Sequence, residues 1–314
     1  MPTFVFPRII AEAVLRYLLR SHYTGTGTLL EGLITPQRPQ EDDMAQAHHK
    51  AVILARGLGS RMRKDSGDTQ LSAEQKRAAD SGVKAMISVG RPFLDHVMSA
   101  LADAGFTDIC LVIGPEHDMI RDYYDSVDKQ RITVSYAIQD KPLGTANAVL
   151  SAEDFAAGEP ILVLNSDNFY PVDALLQLAQ VDGSGLAGFT REAMVERSNI
   201  AADRIAAFAL ATADADGNLD ELVEKPDAAT IERLGEGALI SMNCWKCSPA
   251  IFEAARTIKP SARGEYEITD AVRQAIADGD SYAVIRCDEG VLDMSNRGDI
   301  ASVAAALENH EVRL

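Results

Sequence analysis

From Lys50 onward the chain predicts an α/β fold, a mixed and mostly parallel sheet flanked by helices, with an antiparallel β part between residues 185 and 247. Three observations predict it. Short apolar runs of strand length, such as AVILA at 51–55 and ILVL at 161–164, alternate with longer stretches whose apolar residues recur at helical spacing. Glycine- and charge-rich turns separate the two kinds of segment. Between residues 185 and 247 the apolar runs are joined by turns instead of helices, as antiparallel strands are.

Taken in order, AVILA (51–55) reads as a buried strand and SAEQKRAAD (72–80) as a short helix with Ser72 as its N-cap. FLDHVMSALADAG (93–105) is an amphipathic helix, TDICLVIG (107–114) a second strand, and ITVSYAIQ (132–139) a third with alternation. TANAVLSAEDFA (145–156) reads as one helix leading to the strand ILVLNSD (161–167). GLAGFT (185–190), the stretch 204–226 with a turn near Asp214–Gly217, and ALISMNCWKC (238–247) form the antiparallel part. SPAIFEAARTI (248–258) and TDAVRQAIADG (269–279) are helices, SYAVIRC (281–287) a strand, and DIASVAAALENH (299–310) a closing helix.

Residues 1–49 read differently. Residues 8–20 suit one short amphipathic helix, with Ile9, Ala13, Leu15 and Leu19 apolar, and residues 21–43 are turn-rich and aperiodic. Met44 sits just before the first strand. Residues 1–49 are therefore either an appended helix and linker or a stretch upstream of a true start at Met44, and residues 50–314 form the domain.

The 314 residues are 46% hydrophobic and 25% charged, the composition of a soluble globular protein. A net charge of -17 repels nucleic acid and excludes it as a general partner. No run approaches the ~20 apolar residues of a membrane span, and Arg8, Glu12 and Arg16 interrupt any signal-peptide core. A cytoplasmic, reduced setting is the expectation. Four cysteines (Cys110, Cys244, Cys247, Cys287) are too few for a disulfide scaffold. The Cys244–Cys247 pair lacks a second ligand pair or a strand-to-helix turn, so it reads as two thiols on a strand. Nothing in the sequence decides between a monomer and a homo-oligomer.

An acidic protein that handles phosphate must concentrate its cations, and LARGLGSRMRK at 54–64 does so with Arg56, Arg61, Arg63 and Lys64. A dinucleotide fold wants a third glycine where Met62 stands, and no P-loop string occurs. Cations and Ser60 set just beyond Gly57 and Gly59 suit a loop that wraps a triphosphate.

At these residues the chain resembles the sugar-phosphate nucleotidylyltransferases. The 54–64 stretch resembles the family's signature loop, L-A-x-G-x-G-[TS]-R-[ML]. GVKAMISVGRPFLDHVMSAL, IQDKPLGTANAV, LVLNSDNFY, ELVEKP, MNCWKCSPAIF, GEYEITDAV and VLDMSNRGDI resemble further family segments in the family's order, over about residues 50–310. The resemblance implies a Rossmann-like sheet with an antiparallel sugar-binding part. It also implies transfer of a nucleoside monophosphate from a nucleoside triphosphate to a sugar 1-phosphate, with Mg²⁺ as cofactor. No repeat-built stretch follows Leu314, so an enzyme without the acetyltransferase part of bifunctional relatives is the expectation.

Both reactants are anions, and two unit charges ~4 Å apart repel by about 4 kcal/mol at an effective dielectric near 20. Charge neutralisation and in-line positioning must therefore carry the catalysis. Asp167, at the end of a buried strand where ligands gather in open α/β sheets, is the first metal candidate, and the resemblance implies Asp293 as the second. It implies Lys84 and Lys225 as neutralising cations at the sugar phosphate and α-phosphate, and Arg61 and Arg63, with Lys64 beside them, at the β- and γ-phosphates. Ala55, Gly57, Gly59 and Ser60 would line the nucleotide, Gln139 would read the base, and Gly144 and Thr145 would admit base and ribose. The Gln amide offers a donor and an acceptor, which suits uracil or thymine and, turned over, cytosine. In the family a Gln here accompanies uridylyl and thymidylyl transfer, which favours UTP or dTTP. Glu224 and Asn243, the latter in place of a family glycine, would bind sugar hydroxyls. The alternatives are a cytidylyltransferase acting on another phosphomonoester and a catalytically silent nucleotide-sugar-binding regulator.

Three departures stand out. Arg56 replaces a family glycine, residues 65–82 are longer than usual and read as a lid or rim, and SNRGD replaces the usual ending.

Overall fold

The computed structural model describes residues 50–57, 59–64 and 71–314. The helix, linker and Met44 start considered for residues 1–49 lie outside the described residues, as do residues 65–70 of the long 65–82 stretch.

Eleven described strands are β1 (Lys50–Leu54), β2 (Asp108–Ile113), β3 (Thr133–Ile138), β4 (Ile161–Asn165), β5 (Asn168–Phe169), β6 (Ser184–Phe189), β7 (Ala209–Ala213), β8 (Leu219–Val223), β9 (Leu239–Cys247), β10 (Tyr282–Cys287) and β11 (Leu292–Asp293). The main sheet runs β10-β6-β9-β4-β1-β2-β3, with β7 on β9 and β8 on β7. β4, β1, β2 and β3 are parallel, as are β10 and β6. β9 runs antiparallel to β4, β6 and β7. Ala51 and Ile53 of β1 pack into one core and Val52 into a second on the opposite face. That is why this strand reads as an unbroken apolar run. The antiparallel part is no separate layer, because β9 runs through the main sheet and carries β7 and β8 with it.

Several elements differ from expectation. TANAVLSAEDFA forms two helices, Thr145–Leu150 and Glu153–Ala156. Between them Ser151 Oγ donates back to Asn147 O at 3.2 Å and Ala152 N to Val149 O at 2.9 Å, tightening the turn. Residues 202–205 form a helical turn where strand was expected from Arg204, and β7 begins only at Ala209. Helices at Asp118–Ser126, Val172–Gln180, Arg191–Arg197 and Ala228–Leu234 are additional. Two of them start on side-chain caps, Thr190 accepting from Ala193 N and Asp227 from Thr230 N. The 65–82 stretch does carry a helix, Ala73–Ser81, opened by a reciprocal Ser72–Gln75 capping box.

Cys244 and Cys247 belong to cores on opposite faces of β9, as an odd spacing on a strand requires, so they cannot act as a pair. All four cysteines are free and buried, and burial pushes the Cys247 thiol up to about 12. Lys246 on the same strand is 1% exposed. Its ammonium donates to Ala179 O at 3.0 Å and Val181 O at 2.5 Å, closing the carbonyl end of helix Val172–Gln180.

The last residues fold back on helix Phe93–Asp103. Arg313 N donates to Ser99 Oγ at 3.0 Å, Gln130 N to Leu314 O at 2.8 Å, and Arg131 pairs with Asp103 at 2.7 Å. His310 Nδ1 meets His96 Nδ1 at 3.0 Å, and its ring stands edge-on to Phe169, 5.1 Å between centroids. This contact needs one Nδ1 to donate and the other to accept, so a second proton breaks it. Burial, then the neighbouring His310, lower His96 from the usual 6.5 to about 4, and burial lowers His310 as well, against the pull of Asp103. Folded-state values below the unfolded ones mean stability that is complete above about pH 6.5 and is eroded as pH falls towards about 4. Urea unfolding between pH 7 and 4 should show this slope, up to about 1.4 kcal/mol per pH unit for each histidine. His310→Phe, which keeps a ring against Phe169, should flatten it; a variant slope parallel to wild type would rule the pair out as its source.

Candidate active site

A cleft of about 430 Å³ opens at the carboxyl ends of β1, β3 and β4. Ala55, Gly57, Gly59, Ser60, Arg61, Lys84, Gln139, Gly144, Thr145, Asp167 and Asn243 all line it. Arg63, Glu224, Lys225 and Asp293 do not. Arg63 turns its guanidinium to Ser81 O, at 3.0 and 3.3 Å, tying the signature loop to the end of helix Ala73–Ser81. Glu224 and Lys225 follow β8 in an exposed turn, with Lys225 at φ 47°.

The signature loop depends on Gly59, which has φ 57°; a Cβ there would sit 2.1 Å from Gly82 O. It opens the single-turn helix Ser60–Arg63. Arg297, 4% exposed and given no role by the sequence, donates from Nε to Met62 O at 2.8 Å and from a terminal nitrogen to Asp80 Oδ1 at 2.5 Å. One buried guanidinium thus joins the signature loop, the long 65–82 stretch and the chain's SNRGD turn.

Just past the carboxyl end of β3, Gln139 is 4% exposed. Its amide nitrogen donates to Gly144 O at 3.1 Å and to Asn147 Oδ1 at 2.9 Å. A backbone carbonyl only accepts, so Gly144 fixes which way the amide faces and leaves Oε1 as its outward group. The donor half expected to meet a base is engaged inside the protein. Arg56 folds between Glu116, at 3.3 Å, and the main-chain oxygen of Gln139, to which it donates. Gly144 has φ 120°, and a Cβ there would lie 2.5 Å from Tyr266 O. Thr145 Oγ1 accepts from Ile268 N at 2.8 Å, so this hydroxyl caps helix Ile268–Ala277 from inside the cleft.

At the acidic end, a two-stranded ribbon brings distant carboxylates together. β5 pairs antiparallel with β11, placing Asp293 opposite Asn168, and Met294 N donates to Asp167 O at 2.8 Å. Lys84 Nζ lies 2.7 Å from Asp167 Oδ2. Asp293 Oδ1 accepts from Asn168 Nδ2 at 3.0 Å and from Ser295 Oγ at 2.9 Å, while Arg204 pairs with Oδ2. Burial first, and the charge of Asp167 second, raise the Asp293 carboxyl above its ordinary range. Two hard-oxygen donors that repel one another fit Mg²⁺, which takes one or two carboxylates and completes its shell with phosphate oxygens. Among the described residues no cluster of three or more His, Cys, Asp or Glu could cage a metal alone.

Asn243 adopts φ 56°, a left-handed conformation in which Asn and Gly are the tolerated residues. This explains why Asn stands where the motif has glycine. Its Oδ1 accepts from Trp245 Nε1 at 3.4 Å.

The sequence profile of the family described as Nucleotidyl transferase matches residues 50–309. The chain belongs to the nucleotidyl transferase family, among the sugar-phosphate nucleotidyltransferases. It is 30% identical over 266 residues to a glucose-1-phosphate thymidylyltransferase of Streptomyces antibioticus, covering 84% of this chain and 68% of that protein. It is 30% identical over 237 residues to the low-salt glycan biosynthesis nucleotidyltransferase Agl11 of Haloferax volcanii, covering 75% of this chain but only 58% of that relative's length. A UDP-glucose pyrophosphorylase solved with UDP-glucose shares the fold, with a TM-score of 0.64 at 18% identity over 83% of this chain and 99% of that one. No described helix is long and apolar enough to cross a membrane.

Arg204, Arg297, Asn147, Asn168 and Ser295 were not singled out in the sequence. Asn147, Asn168, Ser295 and Arg297 fall inside segments that resemble the family's, the last two in the SNRGD departure, whereas Arg204 left no such trace.

If left-handed geometry is what selects residue 243, Asn243→Gly should cost only the Trp245 contact. Asn243→Val should cost about 1–2 kcal/mol more, because a β-branched side chain resists that conformation. Chemical denaturation of both variants measures the difference, and equal stabilities would remove this explanation.

Proposed function

We propose that the protein transfers a nucleoside monophosphate from UTP or dTTP to a sugar 1-phosphate, releasing pyrophosphate. A phosphate oxygen of the sugar 1-phosphate attacks the α-phosphorus, and the bond from that phosphorus to the bridging oxygen of pyrophosphate breaks. The observation that carries the reading is one cleft lined by Arg61, Lys84, Asp167 and Gln139, which brings together the cations, the carboxylate and the amide that such a reaction needs.

Arg61 holds the β- and γ-phosphates, and Lys84 offsets charge at the reacting phosphates beside Asp167. Lys225 and Arg63 join from the rim on this reading, and Glu224 and Asn243 meet sugar hydroxyls. Asp167 and Asp293 would hold Mg²⁺, which when bound supplies neutralisation of the developing phosphate charge. The outward Oε1 of Gln139 accepts the N3–H of uracil or thymine, whereas cytosine presents a bare nitrogen at that position. That favours UTP and dTTP over CTP, and a thymidylyltransferase is among the relatives. Catalysis is assigned to residues 50–314, in a reduced cytoplasmic setting that suits four buried free thiols.

The test of the base reading is a kcat/KM panel over UTP, dTTP, CTP, ATP and GTP with glucose 1-phosphate. UTP or dTTP should lead. Gln139→Ala should lower their values about ten- to a hundred-fold, the result of leaving a buried base edge unpaired. A purine triphosphate preferred by wild type, or an unchanged pattern in the variant, would show that Gln139 does not read the base. Asp167→Asn should lower turnover about a hundred-fold or more at saturating Mg²⁺. Wild-type turnover there would remove Asp167 from the reacting centre.

A further inference from the structure

We propose that Arg204 is a resident counter-cation that covers Oδ2 of Asp293, the oxygen its other partners leave free, and must release it before a divalent ion binds there. The inference rests on the reading of Asp167 and Asp293 as the metal carboxylates.

The two oxygens of Asp293 are held differently. Oδ1 is fixed by Asn168 Nδ2 at 3.0 Å and Ser295 Oγ at 2.9 Å, so the carboxylate keeps its orientation whatever happens at Oδ2. Oδ2 is the oxygen that the Arg204 guanidinium covers. Arg204 also has somewhere to go. Its other terminal nitrogen lies 3.0 Å from Asp299 Oδ1, and Asp299 is fixed by Ser295 N and Asn296 N, each donating to Oδ2 at 2.9 Å. The guanidinium can leave one carboxylate and stay paired with the other.

Arg204 rides on the helical turn Ala202–Ile205 between β6 and β7. The same segment is strapped to β11 through Asn199, which donates to Asp293 O at 2.8 Å and accepts from Asp293 N at 2.7 Å. The cation is thus delivered to Asp293 by an element that grips the backbone of Asp293. Lys84 does the equivalent at Asp167, at 2.7 Å. Each metal carboxylate carries a protein cation, and a divalent ion approaching Oδ2 meets a positive charge at contact distance. A nucleoside triphosphate changes that balance, because its own negative charge travels with the ion and offsets the positive charge that the ion meets. The free protein should therefore hold divalent metal weakly, and the metal should enter with the nucleotide.

Titration of the full chain with Mn²⁺ in the absence of nucleotide, followed by the electron-spin signal of free Mn²⁺, tests this directly. Arg204→Gln should bind Mn²⁺ about tenfold or more tightly than wild type, since a unit charge near the ion is removed. Arg204→Lys, which keeps the charge, should bind as weakly as wild type. Mg²⁺ should also raise the Tm of Arg204→Gln more than that of wild type, a readout independent of turnover. Equal affinities for wild type and Arg204→Gln, or a gain in the lysine variant equal to that of the glutamine variant, would overturn the proposal. Adding Asp293→Asn to Arg204→Gln should abolish the gain. A gain that survives Asp293→Asn refutes Asp293 as the ligand; a gain that never appears refutes the role of Arg204 and leaves that assignment standing.

Discussion

The mutual repulsion of Asp167 and Asp293 is the constraint to which the rest of the site answers. The chain forces the two carboxylates together by pairing β5 with β11, a ribbon of two residues on each side. Its backbone bonds alone would be a small return for burying a second charge beside the first. Lys84 and Arg204 supply opposite charge, and Asn168 and Ser295 supply donors. Even so, Asp293 stays above the ordinary carboxylate range, because burial and Asp167 outweigh them. A structure that keeps an unfavourable pair of this kind keeps a place for positive charge.

The sheet was legible where burial leaves a mark on composition. β1, β2 and β4 are packed on both faces, so their apolar runs could not be mistaken for surface helix. The helices at Val172–Gln180 and Arg191–Arg197 were less legible, since these short helices bury only three and two residues each. The helical turn at Ala202–Ile205 was hidden at the start of a mostly apolar run that reads as strand. Tertiary context overrode propensity there, because that turn is what reaches Asp293 and Asp299.

Within the site, residues carried by contiguous motifs were legible and residues defined by distant partners were not. Asp167 announces itself as a carboxylate at the end of a buried strand. Arg204 sits in an unremarkable stretch, and its meaning comes from two carboxylates roughly ninety positions later. Gln139 was legible as a cleft residue, but the direction in which its amide faces depends on the carbonyl of Gly144, which no residue type encodes. Asn243 was legible as a departure from glycine, and its backbone angle supplies the reason.

The buried guanidinium of Arg297 has a consequence for inheritance and for engineering. It satisfies Met62 O and Asp80 at once, so the long stretch that carries Asp80 and the turn that carries Arg297 are chemically one part, although 217 positions separate them. A relative given this helix without the arginine would lose the tie at Asp80, whose half-exposed carboxylate would turn to water instead. A relative given the arginine without the helix would bury an unmatched cation, which is far more costly. Segment exchange between family members should therefore move both stretches or neither.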